Sequence, residues 1–227
     1  MARAYLNNRD RVTTTSALAT WLRNTGTQVI ILDNASTYPP LLEYYRNLPE
    51  GVTVQYFGTN AGPWAFWERN LHKQQTEPYV VTDSDMLPDD ACPNDLMDKL
   101  AAMLRANPGC GKVGPGLRID DLPSDSGWGI NGGGIRQNES PYWTKRHSSE
   151  AFFAPIDTTF AMYEVDRNSE GKQGFECMTG NSVNPRNLRM DFPYVFRHMP
   201  WYMTSPLSEE ELYYRTHCNP KWSHSTV

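Results

Sequence analysis

Hydrophobic and polar positions follow a regular order along the first part of the chain. Short apolar runs, typical of strands buried on both faces, are separated by amphipathic segments typical of helices. The predicted strands are RAYLNN (3–8), QVIILDN (28–34), VTVQYF (52–57) and PYVVTDSD (78–85). The predicted helices between them are TTTSALATWLRNTG (13–26), YPPLLEYYRNLPEG (38–51) and WAFWERNLHKQQ (64–75). Strands that alternate with helices in this way predict an α/β fold with a parallel sheet.

Every predicted strand in this part ends in polar residues. The ends are Asn7-Asn8-Arg9, Asp33-Asn34, Gly58-Thr59-Asn60 and Asp83-Ser84-Asp85. Ligands of open α/β sheets collect at the carboxyl ends of the strands. We therefore expect these side chains to converge on one rim of the sheet and to form a binding site there.

The second part of the chain is less regular. Its pattern predicts a helix at 95–109, strands at 112–123, 151–165 and 189–203, and a closing helix at 205–217 with a serine N-cap and acids in its first turn. Residues 123–149 have many glycines and no periodicity, which predicts a mobile loop. We expect one domain over 1–227, divided into a regular half (1–90) and an irregular half (91–227).

Composition narrows the class of protein. A hydrophobic content of 39% suffices for a globular core, and the net charge of −5 argues against a nucleic-acid partner. No run approaches the ~20 apolar residues of a transmembrane segment, and the N-terminus lacks a signal peptide's apolar core. The four cysteines form no C-x-x-C pair, so we expect reduced thiols in a cytoplasmic protein. The chain starts close to its first strand, which suggests one module of a longer protein.

The Asp83-Ser84-Asp85 segment is the strongest chemical signal. Residues i and i+2 at a strand end project to the same side, where two carboxylates repel each other unless a cation joins them. Oxygen ligands of this kind suit Mn²⁺ or Mg²⁺, with substrate phosphates completing the coordination. The alternative is a solvated turn, because Asp and Ser are turn formers. Haloacid-dehalogenase phosphatases use a similar motif, but there it follows the first strand, and Leu87 does not fit their pattern.

Several segments in order carry a resemblance to a known family. QVIILDNASTYPPLLEYY (28–45), the turn Asn60-Ala61-Gly62-Pro63 and YVVTDSDMLPD (79–89) together resemble a GT-A glycosyltransferase of the family-2 type. GLRIDDLP, APIDTTFAMYE and RHMPWYM resemble small bacterial and viral members that use nucleotide sugars. The resemblance implies a GT-A, Rossmann-like sheet, mostly parallel and flanked by helices. It makes 1–90 the nucleotide-sugar-binding half and 91–227 the acceptor-binding half.

The resemblance also implies roles for individual residues. On the nucleotide side it places Asn7, Asp33, Asn60, Arg69, Asp83 and Ser84. Asp83 would face the ribose and a metal-bound water, and Asp85 would bind the metal directly. The metal would bridge the two phosphates and offset the charge of the departing nucleoside diphosphate.

A further metal ligand is expected near the C-terminus in many such enzymes. Of the five histidines, only His198 lies in a motif, FRHMPWY, at the end of a predicted strand. We prefer it as a ligand, although a histidine hydrogen-bonded at the core edge fits the same pattern. Arg197 would pair with the diphosphate or with Asp191. Trp201 and Tyr202 would form the floor of a sugar pocket, or belong to the core.

Inverting transfer needs a general base beside the acceptor hydroxyl. Asp157 is the first candidate, although it could instead be a structural acid that caps Thr159. Asp121, next to Asp120, is the second, although both could instead belong to a solvated turn before Pro123. A retaining enzyme would need no such base. A glycine-rich segment flanked by two tryptophans would close over the acceptor, or form a surface loop; it comprises Trp128, Gly132, Gly133, Gly134 and Trp143.

The resemblance thus implies a metal-dependent transfer of one sugar from a nucleotide donor, preferably a UDP-sugar, to a hydroxyl of a glycan acceptor. Surface glycans are the expected class of product. A nucleotidyltransferase shares the sheet and the metal, but YLNNRDRVTTT (5–15) lacks the glycines of its phosphate loop. A non-catalytic sugar-binding module is the other alternative, against which Asp83, Asp85 and His198 argue. Both alternatives stay open at the level of sequence.

Overall fold

The structure, a computed structural model, describes residues 2–123, 134–165 and 187–217. Its first elements are β1 (Arg3–Asn8), α1 (Thr13–Asn24), β2 (Gln28–Asp33), α2 (Pro39–Arg46), β3 (Val52–Tyr56), α3 (Ala65–Glu68), a 3₁₀ turn (Leu71–Gln74) and β4 (Tyr79–Asp83). The remaining elements are β5 (Met86–Pro88), α4 (Leu96–Ala106), β6 (Lys112–Gly114), β7 (Gly116–Leu117), α5 (Ile135–Glu139), a 3₁₀ turn (Ser140–Trp143), β8 (Ala151–Phe153), β9 (Ala161–Tyr163), β10 (Asn187–Met190), β11 (Val195–His198), a 3₁₀ turn (Met199–Tyr202) and α6 (Glu209–His217).

Two sheets organise these elements. The larger one has eight strands in the order β3-β2-β1-β4-β9-β6-β10-β8. Strands β3, β2, β1 and β4 are mutually parallel, as is the pair β6–β10, whereas β9 and β8 run antiparallel to their neighbours. The mixed α/β class with a mostly parallel sheet flanked by helices is therefore confirmed.

Alternate residues of the central strands supply two hydrophobic cores, one on each face of the large sheet. Ala4 and Leu6 of β1 pack into one core with α1, α2 and α4, whereas Tyr5 packs into the other with α3. Helix α1 buries Thr15, Leu18, Ala19 and Leu22, the spacing of one helical face. Burial on both sides explains why the strands read as apolar runs.

The smaller sheet has three strands, in the order β5-β11-β7. Strand β5 begins directly after Asp85 and pairs antiparallel with β11, so that His198 lies opposite Met86. Strand β7 pairs with the other side of β11. Through this sheet, the late segment that contains β11 lies next to the end of β4.

Long strands predicted in the second part are each divided in two. The segment 112–123 contains β6 and β7, 151–165 contains β8 and β9, and 189–203 contains β11 and the last two residues of β10, which begins earlier, at Asn187. Pro115 interrupts the first, since proline has no N–H for a ladder, and the two pieces then join different sheets. The helix predicted at 64–75 is likewise divided, at Asn70, whose φ of 56° is left-handed.

Part of the predicted loop at 123–149 has helical structure. Helix α5 and the following 3₁₀ turn lie at 135–143, anchored by the single buried side chain of Ile135. Trp128, Gly132 and Gly133 of the proposed acceptor lid lie outside the described residues. Within the described ranges, every helix is too short or too polar to span a membrane.

Candidate active site

The polar ends of β1, β2 and β4 meet at one rim of the large sheet, as the sequence predicts for a parallel arrangement. The register places Asn7 opposite Asp83 and Asn8 opposite Asp33. The Asn34 side-chain amide donates to Asn7 Oδ1, and Ser84 Oγ donates to Asn8 Oδ1 at 2.8 Å. These hydrogen bonds connect the three strand ends into one polar surface.

Asp83 lies at the end of β4 in a partly buried and acidic environment. Its carboxylate accepts a hydrogen bond from Thr158 Oγ1, and its backbone N–H donates to the Thr158 carbonyl at 3.1 Å. Burial raises the pKa of Asp83 well above its usual range, and the charges of Asp85 and Asp157 raise it further against the Thr158 hydrogen bond. The carboxylates of Asp85 and Asp157 therefore lie close enough to Asp83 to disfavour its ionised form.

Asp85 is brought into contact with His198 by the smaller sheet. The His198–Met86 pairing continues into a hydrogen bond from Met199 N to the Asp85 carbonyl at 2.9 Å. As a result His198 Nε2 lies 3.5 Å from Asp85 Oδ1. The Trp201 ring packs edge-on against the imidazole at 4.9 Å between centroids and fixes its orientation. A predicted pair of residues, more than a hundred positions apart in the chain, is thus adjacent in the fold.

Sequence reasoning missed Arg11, which also lies beside Asp85. Arg11 Nε is 3.7 Å from Asp85 Oδ2, and Arg11 Nη1 is 2.7 Å from Glu211 Oε2 of α6. Burial alone would raise the pKa of Asp85, but His198 and Arg11 outweigh it and lower the pKa to about 2. The signal in the sequence is a second arginine in NNRDR, directly after the first strand end.

Two buried polar atoms of this site have no hydrogen-bond partner within the described residues: Asp85 Oδ1 and His198 Nδ1. Buried polar atoms are normally satisfied, so an orphaned carboxylate oxygen beside an imidazole fits a bound cation. Among the described residues, no three His, Cys, Asp or Glu side chains converge closely enough to hold a metal. Asp83, Asp85 and His198 are thus not a complete set of ligands by themselves, and only Asp85 and His198 are in contact. Magnesium-type sites commonly take one or two protein carboxylates and complete their shell with substrate phosphates.

The residues predicted on the nucleotide side differ in exposure. Asp33 is buried, and its two oxygens accept from Tyr45 OH and Ser36 N, each at 3.1 Å. Asn60 Oδ1 accepts from Gly62 N at 2.9 Å and shapes the turn after β3. Arg69 is exposed and packs over the Phe57 ring at 5.2 Å.

The two candidate bases occupy different environments. Asp157 is exposed in the loop between β8 and β9, near enough to Asp83 to act on its pKa. Asp121 is held by Arg197 Nη2 at 2.8 Å and by Tyr202 OH at 2.7 Å. Burial opposes its ionisation, but the hydrogen bonds from Tyr202 and Arg197 lower the pKa of Asp121. The alternative partner for Arg197, Asp191, is paired with Arg146 instead, at 2.9 Å.

Comparison with known proteins shows which solved structures have a similar fold. No protein family matches the chain, and no curated protein does. Among solved structures, a mannosyltransferase from Pyrobaculum calidifontis in complex with GDP-mannose and Mn²⁺ is similar, with a TM-score of 0.51 at 15% sequence identity over 86% of this chain. A 4-diphosphocytidyl-2C-methyl-D-erythritol synthase from Anaerococcus prevotii aligns with a TM-score of 0.42 at 9% identity over 95% of both chains. This chain spans 56% of the mannosyltransferase's length, and its α/β fold is similar to that of a GT-A glycosyltransferase.

Proposed function

We propose that this chain is a metal-dependent glycosyltransferase, which moves one sugar from a nucleotide sugar to a hydroxyl group of a glycan acceptor. One observation carries the proposal: Asp85 and His198 are in contact at the carboxyl end of the parallel strands, two residues beyond Asp83, and Asp85 Oδ1 and His198 Nδ1 are buried there without a hydrogen-bond partner among the described residues. That edge is where α/β sheets bind nucleotides. The similar mannosyltransferase, which binds GDP-mannose and Mn²⁺, supports the proposal at the level of fold.

In this proposal Asp85 and His198 hold Mn²⁺ or Mg²⁺, with Asp83 beside them. When bound, the ion offsets the negative charge on the diphosphate leaving group. Burial and the charges of Asp85 and Asp157 raise the pKa of Asp83, and a cation bound nearby would favour its ionised carboxylate instead. Asn7 and Asn60 belong to the same rim and are proposed to contact the nucleoside. Asp33 is proposed to act through Tyr45, since its own oxygens are engaged there and in the following turn.

Asp157 is proposed as the general base of an inverting transfer. It accepts the proton of the acceptor hydroxyl while the hydroxyl oxygen forms a bond to the anomeric carbon. The bond between that carbon and the phosphate oxygen breaks, and the nucleoside diphosphate leaves with the electron pair. Exposure of Asp157 near Asp83 supports this choice over Asp121, whose carboxylate is occupied by Arg197 and Tyr202.

Thermal unfolding with nucleotides tests the donor site. Wild type, Asp85→Ala and a control, Asp98→Ala, are melted with UDP, GDP, CDP or dTDP, each with and without Mn²⁺. Asp98 is an exposed aspartate in the first turn of α4 and is not one of the site residues. A ligand at 100 times its Kd adds about 2.7 kcal/mol to the folded state. We expect one nucleotide to stabilise wild type and the control only with Mn²⁺, and not Asp85→Ala. If all four leave every melting temperature unchanged, the proposal is wrong.

A further inference from the structure

Arg11 is a buried cation in the candidate site that no predicted role accounts for. It follows β1, and only 9% of its side chain is exposed. Three groups surround its guanidinium: Glu211 at 2.7 Å, Asp85 at 3.7 Å, and the Tyr214 ring at 4.0 Å from its centroid. Burying a charge is costly unless the charge has a partner. The buried charge of Arg11, beside Asp85 just after the end of β4, therefore needs an explanation.

Helix α6 holds Arg11 in this position. Glu211, itself buried, is fixed by Arg11 through one oxygen and by Arg215 Nε, at 2.8 Å, through the other. The preceding residue, Glu210, accepts from the backbone N–H groups of Val12 and Thr13 at 2.8 and 3.0 Å. The helix is thus joined to the segment that carries Arg11 at two adjacent positions. Arg11 is consequently preorganised before any ligand arrives.

Some N–H donors of the Arg11 guanidinium make no hydrogen bond to a described residue. Arginine has five N–H donors, and only Nη1 of Arg11 makes a hydrogen bond to a described residue. The contact from Nε to Asp85 is 3.7 Å, too long for a hydrogen bond. Nε and Nη2 therefore retain donors at the rim beside Asp85. Planar donor pairs of this kind match the oxygens of a phosphate group.

We propose that Arg11 binds the diphosphate of the nucleotide donor, with Glu211 of α6 as the residue that positions it. The inference rests on the proposed function. A diphosphate that approaches Asp83 and Asp85 meets two carboxylates, whose negative charge opposes its own. Arg11 supplies a second positive charge on the Asp85 side, which favours the bound diphosphate and the departing product alike.

Calorimetric binding separates this role from a structural one without measuring catalysis. The probes are whichever of UDP, GDP, CDP and dTDP stabilises wild type, and the corresponding nucleoside, both with Mn²⁺. The variants are Arg11→Lys and the double variant Arg11→Gln/Glu211→Gln, which removes both charges of the buried pair together. The control is Arg46→Gln, which breaks an exposed Arg–Glu pair on α2. Thermal unfolding establishes that each variant is folded.

The expected result is a selective loss of diphosphate binding. Hydrogen bonds to charged groups contribute enough that the double variant should bind the diphosphate about 10- to 100-fold more weakly. Nucleoside affinity should stay within about twofold of wild type, and Arg11→Lys should show a smaller loss, since it keeps the charge but not the planar donors. The control should match wild type for both probes.

Three other outcomes overturn the inference. Equal losses for diphosphate and nucleoside would mean that Arg11 only supports the structure. Unchanged diphosphate binding in the folded variants would exclude Arg11 as a contact, while the proposed function would stand. Failure of wild type to bind any of the four diphosphates would contradict the proposed function itself, and the inference with it.

Discussion

Asp83 and Asp85 should contribute to folding stability with opposite signs in the metal-free protein. Asp85 is partly buried, but His198 and Arg11 favour its charged form. Asp83 is partly buried beside Asp85 and Asp157, which disfavour its charged form. Removing one charge should therefore destabilise the protein, and removing the other should stabilise it.

The magnitude for Asp85 follows from its pKa. Burial raises the pKa, but His198 and Arg11 lower it from 3.8 to about 2. At about 1.36 kcal/mol per unit, this corresponds to on the order of 2 kcal/mol. A lowered pKa means that the contribution is present above the unfolded pKa and is lost as the pH falls from about 4 towards 2. Asp85→Asn should remove that free energy at pH 7.

Asp83→Asn should raise the free energy of unfolding at pH 7. Its amide oxygen can still accept from Thr158, while the unfavourable charge is gone. A gain of about 1 kcal/mol is the usual size for a stabilising substitution. Because the pKa of Asp83 is raised, the wild type itself protonates this group as the pH falls, and the gain should then disappear.

Urea unfolding in EDTA at pH 7, 5 and 3 measures both differences. Shifts of the unfolding free energy in the same direction for both variants at pH 7 would contradict the opposite signs of the two contributions. A gain from Asp83→Asn that grows as the pH falls would contradict the raised pKa of Asp83.

Three further predictions concern the elements around the site. Glu210→Ala should cost about 1 kcal/mol of thermal stability because α1 loses its cap, whereas Glu209→Ala, on the exposed side, should cost little; equal losses would contradict this capping role. Phe196→Ala should cost about 3–5 kcal/mol in chemical unfolding, since Phe196 is fully buried on the strand that carries His198; a loss below 1 kcal/mol would refute that packing. Asp157→Asn should lower the rate of sugar transfer about 10²- to 10⁴-fold and leave diphosphate affinity unchanged; an unchanged rate in a transfer assay would exclude it as the base.

The sequence predicts the first, regular half of the fold closely, because its signals are local. Strand β1 and the starts of β2, β3 and α1 lie where the pattern places them, and the other bounds differ by a few residues. Strands β1, β2 and β4 are long enough, and buried enough on both faces, to read as apolar runs, whereas β3, at the edge of the sheet, is more exposed. The convergence of their polar ends then follows from parallel topology alone.

The second half of the fold and part of the candidate site depend on contacts between residues distant in the chain, which no local sequence pattern encodes. Strands β6 to β11 have two to four residues each, too few to show a period, and their partners are distant in the chain. His198 was recognisable only through its motif. Arg11 was missed because its partners, Glu211 and Asp85, belong to separate elements that only the tertiary fold brings together.

Following the fate of a nucleotide sugar tests the proposed glycosyltransferase activity most directly. The protein is incubated with Mn²⁺ and UDP- or GDP-sugars, without acceptor, and the products are separated by chromatography. We expect slow release of the nucleoside diphosphate and free sugar, which depends on the metal and is abolished by Asp85→Asn. Release of a nucleoside monophosphate instead, or no turnover of any donor by a protein that binds the nucleotide, would contradict a glycosyltransferase.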